Sequence, residues 1–235
     1  MRASLRDNPT LAHTAPFVAW VLLLMLPGAA TGWGYALLSL LAAALLAWAR
    51  PWRWYGPPRL RCWPLAAGAG VLVFVVWVLP ETPWIARAAP RLHDAYLTFG
   101  VDLLQLSEPA AFADTSPYAP AVAGWGLALC RLLGSAFVIA VAEEFFWRGF
   151  LARTLVRPAF ETVDLGAWHP GRFLLVAVLF GLEHQRWAVG IAAGLVYGLL
   201  AVRTRDIWSA VTAHVITNLL LGLYVLRAGA YRFWG

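Results

Sequence analysis

Long apolar runs broken by short polar intervals set the pattern of this chain. Phe17 to Leu26 is apolar and ends at Pro27-Gly28. Further runs occupy Trp33 to Ala49, Leu65 to Leu79, Ala121 to Ala142, Arg172 to His184, Trp187 to Val202 and Ile207 to Leu226. Runs near ~20 residues are the length of a membrane-spanning helix, and the shorter ones leave soft boundaries. The pattern predicts an all-α, polytopic transmembrane helical bundle of about seven spans, with six to eight as the range. Phe17 to Leu26 also resembles the core of a signal peptide, but the apolar run that follows at once favours a retained hairpin. Ala121 to Ala142 is expected to continue as helix to about Val156.

The polar intervals give the orientation. Arg50 to Pro64 holds four arginines and three tryptophans, an interfacial belt that the positive-inside rule assigns to the cytoplasm. Arg153, Arg157, Arg172, Arg203 and Arg205 mark the same side. Pro80 to Pro120 leans acidic, with Glu81, Asp94, Asp102, Glu108 and Asp114, and belongs on the opposite side. Ile85 to Leu106 within it reads as an interfacial amphipathic helix. Arg2 and Arg6 mark a short polar lead, which places the amino terminus in the cytoplasm and, after seven spans, the carboxyl terminus outside.

Composition agrees. Of 235 residues, 61% are hydrophobic and 13% charged, and mean hydropathy is +0.68; soluble domains are nearer one quarter charged. All 18 basic residues are arginine, and the net charge is +6. Because these arginines sit in loops, the balance points to topology and anionic membrane lipids, not to nucleic acid. Cys62 and Cys130 stand apart without a CxxC partner and read as ordinary thiols. Gly190, Gly194 and Gly198 form a small-residue ridge suited to close helix contact. The 14 tryptophans cluster near span ends as interface anchors.

Against this background a few ionisable residues stand out, because charge at membrane depth is costly and usually functional. Glu143 and Glu144 end the fourth run, with Arg148 following. On a helix Glu144 and Arg148 share a face, while Glu143 points about 100° away. His184 ends the fifth run, and His214 with Asn218 shares a face of the last. Counted from Arg153, Arg172 and Arg205 at 1.5 Å per residue, Glu144 and His214 lie roughly 13 Å deep and His184 about 18 Å, all near the midplane. The agreement predicts one shared site. Such a set suits water activation by a buried glutamate, and two histidines with a carboxylate would also hold zinc. Asn218 or a histidine could donate to an oxyanion. HExxH, GxSxG and nucleotide-loop motifs are absent from the sequence.

Four readings compete with catalysis at one site. Glu143 and Glu144 could be a structural ion-pair cluster with Arg148 and Arg131. His184 could be an interfacial histidine, and His214 with Asn218 interhelical glue. A proton-coupled transporter could use the same groups, though matching half-repeats are missing. His13, His93 and His169 fall in polar segments and are expected in solvent or headgroups.

Glu143-Glu144-x-x-x-Arg148-Gly149, Phe180-x-x-x-His184 and His214-x-x-x-Asn218, in this order, resemble the signature motifs of the CPBP intramembrane protease family. That family includes CAAX prenyl endopeptidases and bacteriocin-processing or self-immunity proteins. The form around Glu143 also resembles a bacterial CAAX prenyl protease-related subgroup. The resemblance covers about residues 121 to 226, a catalytic helical core within 121–235, while 1–120 carries no diagnostic motif. It implies an endopeptidase of the bacterial inner membrane that cuts a membrane protein or lipidated, CAAX-like peptide, with the site open to the cytoplasm. By position, Glu143 or Glu144 activates water, His184 and His214 complete the site, Asn218 assists the oxyanion, and Arg148 and Phe180 orient it. Glu143, His184 and His214 would bind zinc in the metalloprotease form; a metal-free glutamate and histidine mechanism is the other form. The alternative is a non-catalytic binding or bacteriocin-immunity protein on the same scaffold. One departure is Glu183, directly before His184, read as a partner for Arg186 in preference to a further ligand.

Overall fold

The structure, a computed structural model, describes residues 7–101 and 116–234. Arg2, Arg6, Asp102, Glu108 and Asp114 lie outside the described residues. Nine helices carry the described architecture: α1 (Pro9–Leu24), α2 (Gly32–Ala49), α3 (Trp63–Val78), α4 (Pro83–Ala88), α5 (Pro90–Phe99), α6 (Pro120–Thr154), α7 (Pro170–Leu182), α8 (Trp187–Thr204) and α9 (Ile207–Ala228). No strand occurs among the described residues. Helices α2, α3, α6, α8 and α9 are long and apolar enough to cross a membrane, and α1 and α7 are shorter apolar helices. The protein is thus an all-α membrane bundle, and about seven spans fits it.

Local chemistry sets the helix limits. Proline opens α1, α4, α5, α6 and α7 within the first turn, where its missing N–H has no helical partner to lose. The side chains of Asn8, Thr31 and Asp206 accept from backbone N–H groups of Leu11, Gly34 and Trp208 as amino-terminal caps. Helices α2 and α8 stop at Arg50 and Arg205, each in the left-handed region at φ 51°. The outward faces are apolar, with Leu37, Leu40, Leu72 and Leu174 exposed by 62%, 68%, 53% and 53%. A surface of that kind is stable against lipid tails, and the helical backbone satisfies its own polar groups there.

Small residues let the central helices approach. A Cβ on Gly70 of α3 would come within 2.5 Å of the Ala213 carbonyl oxygen on α9. A Cβ on Gly194 of α8 would reach 2.9 Å from the Ala177 carbonyl oxygen on α7. Gly190 and Gly198 face Gly181 and Phe173 of the same helix, so the ridge read from the sequence packs α8 against α7.

Two sequence expectations change. The interfacial segment is not one helix: Pro90 lacks the N–H needed to continue from α4, and α5 restarts there. His13 is not in solvent. Helix α1 begins at Pro9, so His13 is 1% exposed, with Nδ1 2.7 Å from the Pro9 carbonyl and Nε2 3.0 Å from Tyr55 Oη. His93 and His169 are in polar segments as expected, His93 paired with Asp94 and His169 exposed.

Candidate active site

Helix α6 is not regular where the glutamates lie. Gly134–Ile139 and Phe145–Leu151 are π-helical turns, and Ala140–Glu144 between them is α-helical. Such turns accommodate an extra residue and re-phase the side chains, and they concentrate at functional sites. Here both glutamates are buried, Glu143 with 8% exposure and Glu144 with none.

The two carboxylates have different surroundings. Glu144 Oε1 accepts from Arg148 Nη1 and from His214 Nδ1, each at 2.9 Å. Arg148 Nη2 donates to the Gly194 carbonyl at 3.0 Å, and its guanidinium lies 4.4 Å from the Phe180 ring centroid. Glu144 therefore holds a helix-to-helix clamp joining α6, α8 and α9. Glu143 instead lines a cavity of about 540 Å³ together with Glu183, His184, His214 and Asn218. Its Oε2 is buried without a hydrogen-bond partner and lies 3.6 Å from His214 Nε2. Neither glutamate pairs with Arg131.

His214 is fixed on three sides. Its Nδ1 faces Glu144, Tyr197 stacks on it at 4.8 Å, and Phe180 meets its edge at 5.8 Å. Tyr197 Oη donates to Thr217 Oγ1 at 2.7 Å, one turn along α9. His184 follows the end of α7, where its Nδ1 bonds the Phe180 carbonyl at 2.8 Å. That bond leaves Nε2 as the nitrogen with a lone pair to offer. Asn218 Nδ2 donates one hydrogen to the Ser135 carbonyl at 3.1 Å, so its second N–H remains for another acceptor.

Glu183, Glu143 and His184 bring donor atoms within 4.8 Å of one another. Two carboxylates and an imidazole, one carboxylate oxygen being buried and unbonded, match the donor chemistry of a divalent ion such as zinc. His214, expected in that ligand set, is not part of this cluster. Glu183 is not the partner of Arg186. Arg186 Nη2 bonds Glu81 Oε2 at 3.1 Å, and Arg232 Nε bonds the same oxygen at 3.0 Å.

The cavity extends one way only from Glu143. Its lining continues through Ser135, Arg131 and Leu221 to Arg186, Phe233 and Trp234, away from Arg153, Arg172 and Arg205. Toward those arginines stand the buried Phe145 and Phe160, the Glu144–Arg148 pair, and Arg153, which donates to the carbonyls of Gly149, Glu161 and Val163.

Glu143, Glu144, Arg148, Phe180, His184, His214 and Asn218, the residues that the motifs single out, all lie together in the structure. Tyr197 joins them without any signal in its apolar run, and Glu183 joins them with its adjacency to His184 as the signal. No curated protein and no solved structure matches the chain. Residues 123–220 match the family model described as type II CAAX prenyl endopeptidase Rce1-like, a stretch that contains every motif above. That match agrees with the resemblance to CPBP proteins carried by the three motifs.

Proposed function

We propose that the protein is an intramembrane endopeptidase that hydrolyses a peptide bond in a membrane-associated, lipidated or CAAX-like substrate. The observation that carries this reading is the division of labour between the glutamates: Glu144 is held by Arg148 and His214, while Glu143 faces the cavity. Glu143 takes the proton of a water that attacks the peptide carbonyl carbon. The negative charge that develops on the carbonyl oxygen accepts the second N–H of Asn218. The C–N bond then breaks, and Glu143 passes the proton to the leaving amine. Glu144 keeps the His214 ring oriented, with Nε2 toward Glu143. Glu143, Glu183 and His184 would hold a divalent metal, which when bound acidifies water and polarises the carbonyl.

The test compares cells expressing the native protein with cells expressing Glu143→Gln, His214→Ala or Asn218→Ala. New peptide termini on membrane proteins should appear only with the native protein. Identical termini in native and Glu143→Gln cells, at equal protein level, would remove the endopeptidase reading and leave a binding or immunity scaffold.

A further inference from the structure

Arg131 lines the same cavity as Glu143 but belongs to neither the clamp nor the ligand cluster. It sits in an aromatic cage: its guanidinium carbon lies 4.1 Å from the Tyr35 ring centroid, 5.1 Å from Tyr118 and 5.9 Å from Trp234. Nη1 donates to Tyr35 Oη at 2.8 Å, and Nε is buried with no partner. No carboxylate pairs with it among the described residues. Arg131 is half-buried, and the fully buried arginines among the described residues each have a carboxylate or several carbonyls: Arg148 has Glu144, Arg186 has Glu81, and Arg153 has three backbone oxygens.

A guanidinium has five N–H donors and cannot give up its proton. With its Nε buried and no carboxylate beside it, such a group is left short of partners, and ring faces offset only part of that cost. The cage leaves donor capacity at the wall of a cavity of about 540 Å³. The complement to such a group is a planar anion able to take two N–H bonds at once, and a carboxylate has that geometry.

We propose that Arg131 is a substrate-binding residue that seats a carboxylate of the peptide substrate in the part of the cavity lined by Tyr35 and Trp234. This rests on the endopeptidase reading for the identity of the occupant. The spacing limits which carboxylate qualifies. Twelve residues of α6 separate Arg131 from Glu143, about 18 Å along the axis. An extended peptide crosses that in roughly five residues. The anion thus lies within about five residues of the bond that is cut, at the chain terminus or on an acidic side chain.

The test is binding to protein inactivated by Glu143→Gln, so that cleavage is not needed. Three fluorescein-labelled, S-farnesylated CAAX-type peptides serve as probes: one with a free terminus and no acidic residue, its terminal amide, and the amide with glutamate as last residue. Fluorescence polarisation should show the first or third binding about ten- to a hundredfold tighter than the plain amide. The preference should vanish in Glu143→Gln/Arg131→Gln and return in part in Glu143→Gln/Arg131→Lys, each checked for monodispersity. Equal binding of all three probes, absence of binding, or a preference that survives Arg131→Gln would overturn the proposal. So would equal binding together with stabilisation of native but not Arg131→Gln protein by phosphatidylglycerol, which would make Arg131 a lipid anchor. The two readings fail separately: a terminus preference with no cleavage by native protein sinks the endopeptidase, and cleavage indifferent to terminus and to Arg131 sinks only the carboxylate seat.

Discussion

On one side of Glu143, toward Arg153 and Arg172, the buried polar groups bond mostly to each other and to backbone carbonyls. The space there, bounded by Arg148, Arg153 and Arg172, holds about 50 Å³. On the other side, toward Arg131 and Trp234, polar groups of the same kinds line about 540 Å³. The same residue types hold the fold together in the first half and face open space in the second. In the proposed reaction, the half that each glutamate faces sets its role, with Glu143 on the cavity and Glu144 in the clamp.

The sharpest way to break this comparison is to swap the glutamates' fates. Glu143→Gln should lower cleavage by about 10²–10⁴-fold, the range for loss of a general base, while the melting temperature barely moves. Arg148→Met should do the reverse in kind. It leaves Glu144 buried without its cation, which costs about 3–5 kcal/mol of stability, read as a lower unfolding midpoint in detergent. If Glu143→Gln unfolded the protein and Arg148→Met did not, the two halves would have been assigned the wrong way round.

Asn218→Ala comes next. Loss of one oxyanion donor lowers turnover about 10²–10³-fold, with KM little changed. An effect confined to KM would make Asn218 a binding residue, with its bond to the Ser135 carbonyl as its chief role.

Much of both halves was legible in the chain. Apolar run length gave the spans, and four-residue spacing gave Glu144 with Arg148, because helical pitch turns spacing into contact. Equal depth from the arginine markers gave the convergence of Glu144, His184 and His214. What stayed hidden depends on long-range packing. His13 reads as part of a polar lead until the tyrosine of the connector, Tyr55, is seen to cover it. Glu183 and Arg186 are close in sequence, yet Glu81, 105 residues from Arg186, takes the guanidinium. The π turns that bring Glu143 and Glu144 inward have no marker in the apolar pattern.

The smallest expected effect sharpens the comparison from the closed half. Tyr55 Oη accepts from Arg153 Nη1 at 3.0 Å and donates to His13 Nε2 at 3.0 Å, because Nδ1 of His13 already donates to the Pro9 carbonyl. Burial pushes the phenol up to about 12, so it stays neutral and keeps both roles at ordinary pH. Tyr55→Phe removes one hydroxyl and leaves two buried nitrogens each short of a partner, at a cost of about 1–3 kcal/mol. Arg153 retains its bonds to Val163, Gly149 and Glu161, so the helix end should hold. Cleavage per folded molecule should match the native protein, because Tyr55 does not line the larger cavity. A fall in turnover without a fall in stability would mean that the closed half takes part in the chemistry after all.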